Sequence, residues 1–172
     1  MSKYPATPPG TTIRAKLLAS MLPDEVYKTS ETTRASNTTL TDDPDLQFAL
    51  EANATYFVEF HVRYACLSAA GFRVQFNVPS GASGNYGVQG LCSTVSDAAG
   101  CGDARFGVHN FSTITTFGDR DSASNQVLAV VEALITTGST AGTVALAWAQ
   151  ETSNATATKV AAGSYGRLKR VA

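Results

Sequence analysis

A chain of 172 residues fits one domain with an arm. A domain of that size buries roughly two-thirds of its unfolded surface, so it needs no metal or disulfide staple. With 13 Lys and Arg against 14 Asp and Glu, the net charge of −1 excludes a nucleic acid or an anionic membrane held by bulk charge.

Only 16% of residues are charged, and Thr, Ser, Ala and Gly fill the gap. Such a surface suits close subunit packing, or simply a β protein with uncharged faces. Cys66, Cys92 and Cys101 make an odd number of thiols. Residues 1–25 hold no apolar core of a secretory signal, and no apolar run approaches the ~18 residues of a membrane span. The expectation is a soluble protein made in a reducing cytoplasm with its thiols mostly free. Cys92 and Cys101 bracket a Gly/Ser/Asp loop and could cross-link.

Residues 1–25 read as an N-terminal arm, extended or partly helical. Pro5, Pro8, Pro9 and Gly10 deny regular pairing to its start. Thr11 or Thr12 can cap a short helix that Pro23 stops, with Ile13, Leu17, Leu18 and Met21 at near-helical spacing. So short an amphipathic segment cannot hold a helix alone in water. It must dock, either on its own domain or on a foreign surface.

From residue 26 to 172 the pattern is that of strands and turns. Val26 to Thr39 is Thr-rich and extended, suited to an edge strand or to an arm laid along a neighbour. Thr41-Asp42-Asp43-Pro44-Asp45 reads as a turn, since Asp folds onto its own backbone and Pro presets φ. Leu46, Phe48 and Leu50 alternate with polar residues as a half-buried strand. Thr55 to Ala65 is the clearest strand, with Tyr56, Val58, Phe60, Val62 and Tyr64 on one face and Phe57, Glu59, His61 and Arg63 on the other.

Phe72, Val74, Phe76 and Val78 repeat that alternation, whereas the glycines of 79–90 read as a loop. Ala104 to Phe117 and Gln126 to Thr137 carry later strands, the second apolar on both faces and so central or doubly covered. Val144, Leu146 and Trp148 form a bulky strand face opposite Ala145, Ala147 and Ala149. After the polar run Thr152–Thr158 and a turn at Gly163, a final strand, Tyr165 to Val171, seals the core. The rhythm predicts an all-β fold: an antiparallel, jelly-roll-like β-sandwich of about eight strands.

No catalytic constellation emerges, and no cofactor is expected. His61, between Glu59 and Arg63, reads as a solvated strand residue, and His109 has no zinc-ligand spacing around it. Asp42, Asp43 and Asp45, or Asp119 and Asp121, could offer oxygens to calcium, although Asp-x-Asp in a turn is common without an ion. Asn37, Asn53, Asn110 and Asn154 head glycosylation tripeptides that are silent without a secretory signal. Trp148 with tyrosines could build a sugar platform, but its face of the strand makes it core. A carbohydrate-acting enzyme would need two carboxylates about 5–10 Å apart, and only Glu59, Glu132 and Asp103 lie near strands.

Several stretches are similar to a β-sandwich domain of tailed-bacteriophage virion proteins, found in small capsid-decoration and minor tail proteins of actinobacterial phages. They are YKTSET at 27–32, LTDDPDL at 40–46, ANATY at 52–56 and FNVPSGA at 76–82. WAQETSNAT at 148–156 followed by Gly163-Ser164-Tyr165 is the most specific. The likeness spans residues 26–171 and departs from the pattern at the Cys92–Cys101 loop and at Gly166, where a larger apolar residue is expected.

The resemblance implies a structural virion role without enzymatic residues, in a particle assembled in the host cytoplasm. The leading expectation is a decoration (cement) protein, a homotrimer on the outside of the head. Ile13, Arg14, Lys16, Leu17, Leu18 and Met21 would grip the major capsid protein. The alternative is a tail-fibre or minor tail protein whose 79–103 loops meet a host glycan or protein.

Overall fold

The computed structural model describes residues 9, 10, 12, 22–92 and 105–172. The expected helix at 11–22 and the 93–104 loop lie outside the described residues, apart from isolated positions. Twelve strands follow one another: β1 (Asp24–Tyr27), β2 (Thr32–Arg34), β3 (Thr41–Leu50), β4 (Thr55–Cys66), β5 (Phe72–Asn77) and β6 (Ser83–Gly90). Then come β7 (Arg105–Asn110), β8 (Thr115–Phe117), β9 (Ser122–Thr136), β10 (Gly142–Ala149), β11 (Thr158–Val160) and β12 (Tyr165–Arg170). All pairings are antiparallel, and no helix occurs among the described residues.

Two sheets face each other. The larger has the order β1-β12-β4-β9-β6-β7, with β11 joining β2 to β4; the smaller is β3-β10-β5-β8. The all-β sandwich is as the alternation requires. Among the described residues there are twelve strands rather than about eight, because short or glycine-rich segments also pair.

β4 shows why the layers stack. Val58, Phe60, Val62 and Tyr64 are wholly buried, while Glu59 and His61 on the other face are half-buried and Arg63 is exposed. Phe60 lies between Phe48 and Phe76 of the opposite sheet, at 5.8 and 5.6 Å between ring centroids. Tyr64 stacks on Phe72 at 4.2 Å, and Phe72 meets Trp148 at 5.8 Å. These offset and tilted rings link the sheets through their faces and edges. β9 is central, between β4 and β6, which explains its two apolar faces. β12 lies between β1 and β4 and buries Leu168, so the last strand does close the core.

Three expectations change. Residues 26–39 pair within their own domain, β1 on β12 and β2 on β11, rather than along a neighbour. Residues 79–90 are not all loop, because β6 places Tyr86 and Val88 in the core between β9 and β7. Residues 41–45 belong to β3, where the register against β10 slips. Gly166 is also explained. It lies opposite Phe60, and a Cβ there would come within 2.6 Å of the Phe60 ring and 3.1 Å of Val26.

Candidate functional site

The slip in β3 builds the most polar part of the interior. Asp42 pairs with Ala147 and Gln47 with Ala145, so the residues between them bulge over Leu146. Asp43 Oδ1 accepts the backbone N–H groups of Asp45 at 3.0 Å and Leu46 at 3.3 Å. The local chemistry is the Asp turn read from sequence, set inside a strand.

Lys28 follows β1 and is clamped by its backbone to the β11–β12 turn. Its N–H donates to the Ser164 carbonyl and its carbonyl accepts from Gly163, at 2.8 and 2.9 Å. Its Nζ donates to Asp43 Oδ1 at 3.0 Å, Asp45 Oδ2 at 2.7 Å and Thr32 Oγ1 at 2.7 Å, which uses all three ammonium hydrogens. Trp148 Nε1 donates to the second oxygen of Asp43 at 3.0 Å. The side chains of Lys28 and Asp43 are 0% exposed, and that of Asp45 is 41% exposed.

Arg34 caps this cluster, its guanidinium 3.9 Å from the Trp148 ring centroid and donating to the carbonyls of Thr41, Asp42 and Trp148. Burial lowers its pKa, while Asp43 and Asp42 pull the other way. The calcium reading of this acidic run meets an occupied seat, because the Lys28 ammonium bridges Asp43 and Asp45. Asp42 instead accepts from Asn77 Nδ2. Asp119 accepts from Ser68 Oγ and the Asp121 N–H. Among the described residues, no three His, Cys, Asp or Glu gather as metal ligands would.

The outer face of the larger sheet carries a second cluster. One row runs Tyr27–Tyr165–His61–Val130–Gln89 across five strands, and the next runs Glu25–Arg167–Glu59–Glu132–Gly87. His61 points outward as expected but is not freely solvated. It stacks on Tyr165 at 4.5 Å and 10° and bonds to Glu59. An open hollow of about 390 Å3, lined by His61, Arg63, Leu128 and Tyr165 among others, lies beside it. Glu59 and Glu132 are direct cross-strand neighbours on a sheet face. His61 engages the first of them, and no hydroxyl or thiol bonds to that imidazole among the described residues. Tyr27, Val108, Leu128 and Leu134 leave large apolar areas exposed.

The block that carried the resemblance pins loops together. Gln150, fully buried, accepts the N–H groups of Asn37 and Asn154 and donates to the Thr156 carbonyl. Ser164 Oγ accepts the Arg63 N–H and donates to the Ala161 carbonyl. Trp148 is core, not a sugar platform.

Cys92 is disulfide-bonded, which corrects the expectation of mostly free thiols, and Cys101 lies outside the described residues. Cys66 is free and buried. Burial first, then Asp119 and Glu151, push its pKa up to about 12 from an ordinary 9.0. Burial also raises the pKa of Tyr64. Both groups ionise in the unfolded chain before the folded one, so stability is full below the unfolded pKa and falls as pH rises from about 9 toward 12. Urea midpoints should decline across that window, and Cys66 should resist alkylation at neutral pH until the fold opens. Rapid modification of native protein would contradict this.

The six arm residues Ile13, Arg14, Lys16, Leu17, Leu18 and Met21 all lie outside the described residues, as does Asp103. Leu22 is 70% exposed, and β1 is an edge strand of the larger sheet. Beside that edge lies a hollow of about 340 Å3 lined by Leu22, Asp24, Ala49, Glu51, Tyr56, Leu168 and Arg170.

No protein-family model and no curated protein matches the chain. Among solved structures, the tripod (BppUct-A-L) of the bacteriophage Tuc2009 baseplate aligns over 99% of this chain and 75% of its own, at 11% identity and a TM-score of 0.37. The infectious bursal disease virus VP2 subviral particle aligns over 87% of this chain and 41% of its own, at 7% identity and a TM-score of 0.24. Likenesses this weak assign no role to the chain.

Proposed function

We propose that the chain is a structural protein of a tailed-phage virion, a decoration protein on the outside of the head, held to the major capsid protein by residues 1–25. The observation that carries this reading is how the signature residues are used. Trp148, Gln150, Asn154, Gly163 and Ser164, which bear the resemblance, are spent on internal hydrogen bonds and packing rather than on a cleft. The result is a sandwich in which β1, the first strand among the described residues, lies at an edge of the larger sheet. The exposed Tyr27, Val108, Leu128 and Leu134 offer apolar area for packing copies as a homotrimer. Many modest contacts repeated over a symmetric shell give avidity without one strong contact. Neither a nucleic acid nor a membrane has a part in this reading, and no reaction is catalysed.

Deleting residues 1–22 should abolish retention on purified heads while leaving the sandwich folded. Undiminished retention would discard the arm as the anchor. Gold-labelled antibody on intact particles should mark heads. Label confined to tails would transfer the protein to the alternative, a tail-fibre or minor tail component.

A further inference from the structure

The contact between Lys28 and Asp43 has the parts of a reaction centre. An amine nitrogen lies 3.0 Å from one oxygen of a carboxyl group, and both side chains are sealed from water. A second carboxylate, Asp45, lies 2.7 Å from the same nitrogen and is partly open to solvent. The Trp148 indole N–H holds the other oxygen of Asp43 at 3.0 Å, where charge would develop during attack on the carboxyl carbon.

We propose that Lys28 and Asp43 condense to a side-chain amide, an isopeptide cross-link. Proton transfer from Nζ to Asp43 Oδ1 leaves a nitrogen lone pair that attacks Cγ. The carbonyl oxygen, Oδ2, takes up the negative charge under the indole N–H. Asp45 accepts a proton from the attacking nitrogen and returns it to the departing Oδ1 hydroxyl. The C–N bond forms, the C–O bond breaks, and one water leaves through the open side at Asp45; no oxidant or other reactant enters. Asp43 is the electrophile because its carboxyl group is buried and held by N–H donors on both oxygens. Asp45 keeps solvent contact and is the better proton carrier.

The bond would join the residue after β1, in the larger sheet, to the bulge of β3 in the smaller one. It would tie the two layers covalently beside β1, at the edge of the larger sheet. The link would form whether the protein sits on a head or on a tail.

Intact mass of the purified full chain, denatured and reduced, tests it. Wild type should be one water lighter than its sequence. Trypsin cuts after Lys16, Arg34 and Arg63 and skips an acylated Lys28, so residues 17–34 should emerge joined to residues 35–63. Fragmentation should place the link at Asp43. Ring closure of Asp43 on its own backbone, the usual other way to lose water, is blocked because Pro44 has no N–H. Lys28→Arg, which keeps the charge, should show full mass, and Asp45→Ala should slow or abolish the loss. Full mass in wild type after prolonged incubation, or a link that maps to Asp45 or elsewhere, would overturn the proposal without any variant.

Discussion

Asp43→Ala is expected to destabilise the domain by about 3–5 kcal/mol, because breaking the buried pair leaves Lys28 sealed from water with only the half-exposed Asp45 as counter-ion. Four donors lose this acceptor at once: the Lys28 ammonium, the Trp148 indole N–H and the backbone N–H groups of Asp45 and Leu46. Solvent cannot replace it, since Lys28 and Trp148 are fully buried. Against a total stability of about 5–15 kcal/mol, such a loss unfolds a measurable fraction of the protein at 25 °C. Should the Lys28–Asp43 amide be present, the same substitution also opens a covalent loop, and closing one of ~15 residues is worth roughly 3 kcal/mol.

Asp43→Asn separates these contributions. Its amide oxygen can still accept from Trp148, but the Lys28 charge is left without its buried partner. Urea denaturation with intact mass on each variant reads both effects. A cost below about 1 kcal/mol for Asp43→Ala would mean that water reaches the cluster and that the pair behaves like a surface ion pair.

The cluster was not legible in the sequence, although its parts were. Asp43-Pro44-Asp45 carried a sound turn signal, and the Asp does fold onto its backbone. What the sequence could not supply was the register slip that keeps the turn inside β3. Lys28 lay in a polar, hydroxyl-rich run that reads as surface. Its burial follows from β1 pairing with β12, a contact across most of the chain.

β4, β5 and β10 were readable because alternation of large apolar residues marks a strand with one buried face, and β9, apolar on both faces, was readable through its β-branched residues as a central strand. β6 was hidden by its glycines. Gly84 has φ +136°, and a Cβ there would lie 2.0 Å from the Leu134 carbonyl oxygen, so close backbone approach demands a residue of low strand propensity. The buried Tyr86 and Val88 were the signal that could have found it. His61 was placed on the correct face, but its stack on Tyr165 depends on a cross-strand neighbour more than a hundred positions away.

Phe60→Ala is expected to cost about 3–5 kcal/mol, the range for deleting a buried aromatic ring. Phe60 sits at the middle of the sandwich, 0% exposed, against Phe48 and Phe76 of the facing sheet. Its ring also covers Gly166 on the neighbouring strand, closely enough that a Cβ would fall 2.6 Å from Cδ1 and 2.7 Å from Cε1. Gly166→Ala should therefore overpack the site and cost about 1–3 kcal/mol in the wild-type background. In the Phe60→Ala background the obstruction is gone, and the added methyl partly fills the cavity, so the same change should be neutral or stabilising. The coupling between the two should fall within about 0.5–3 kcal/mol, the span found for residues in contact. Additive costs in a double-mutant cycle would show that the ring and the glycine do not share one packing constraint. Gly166 would then owe nothing to Phe60.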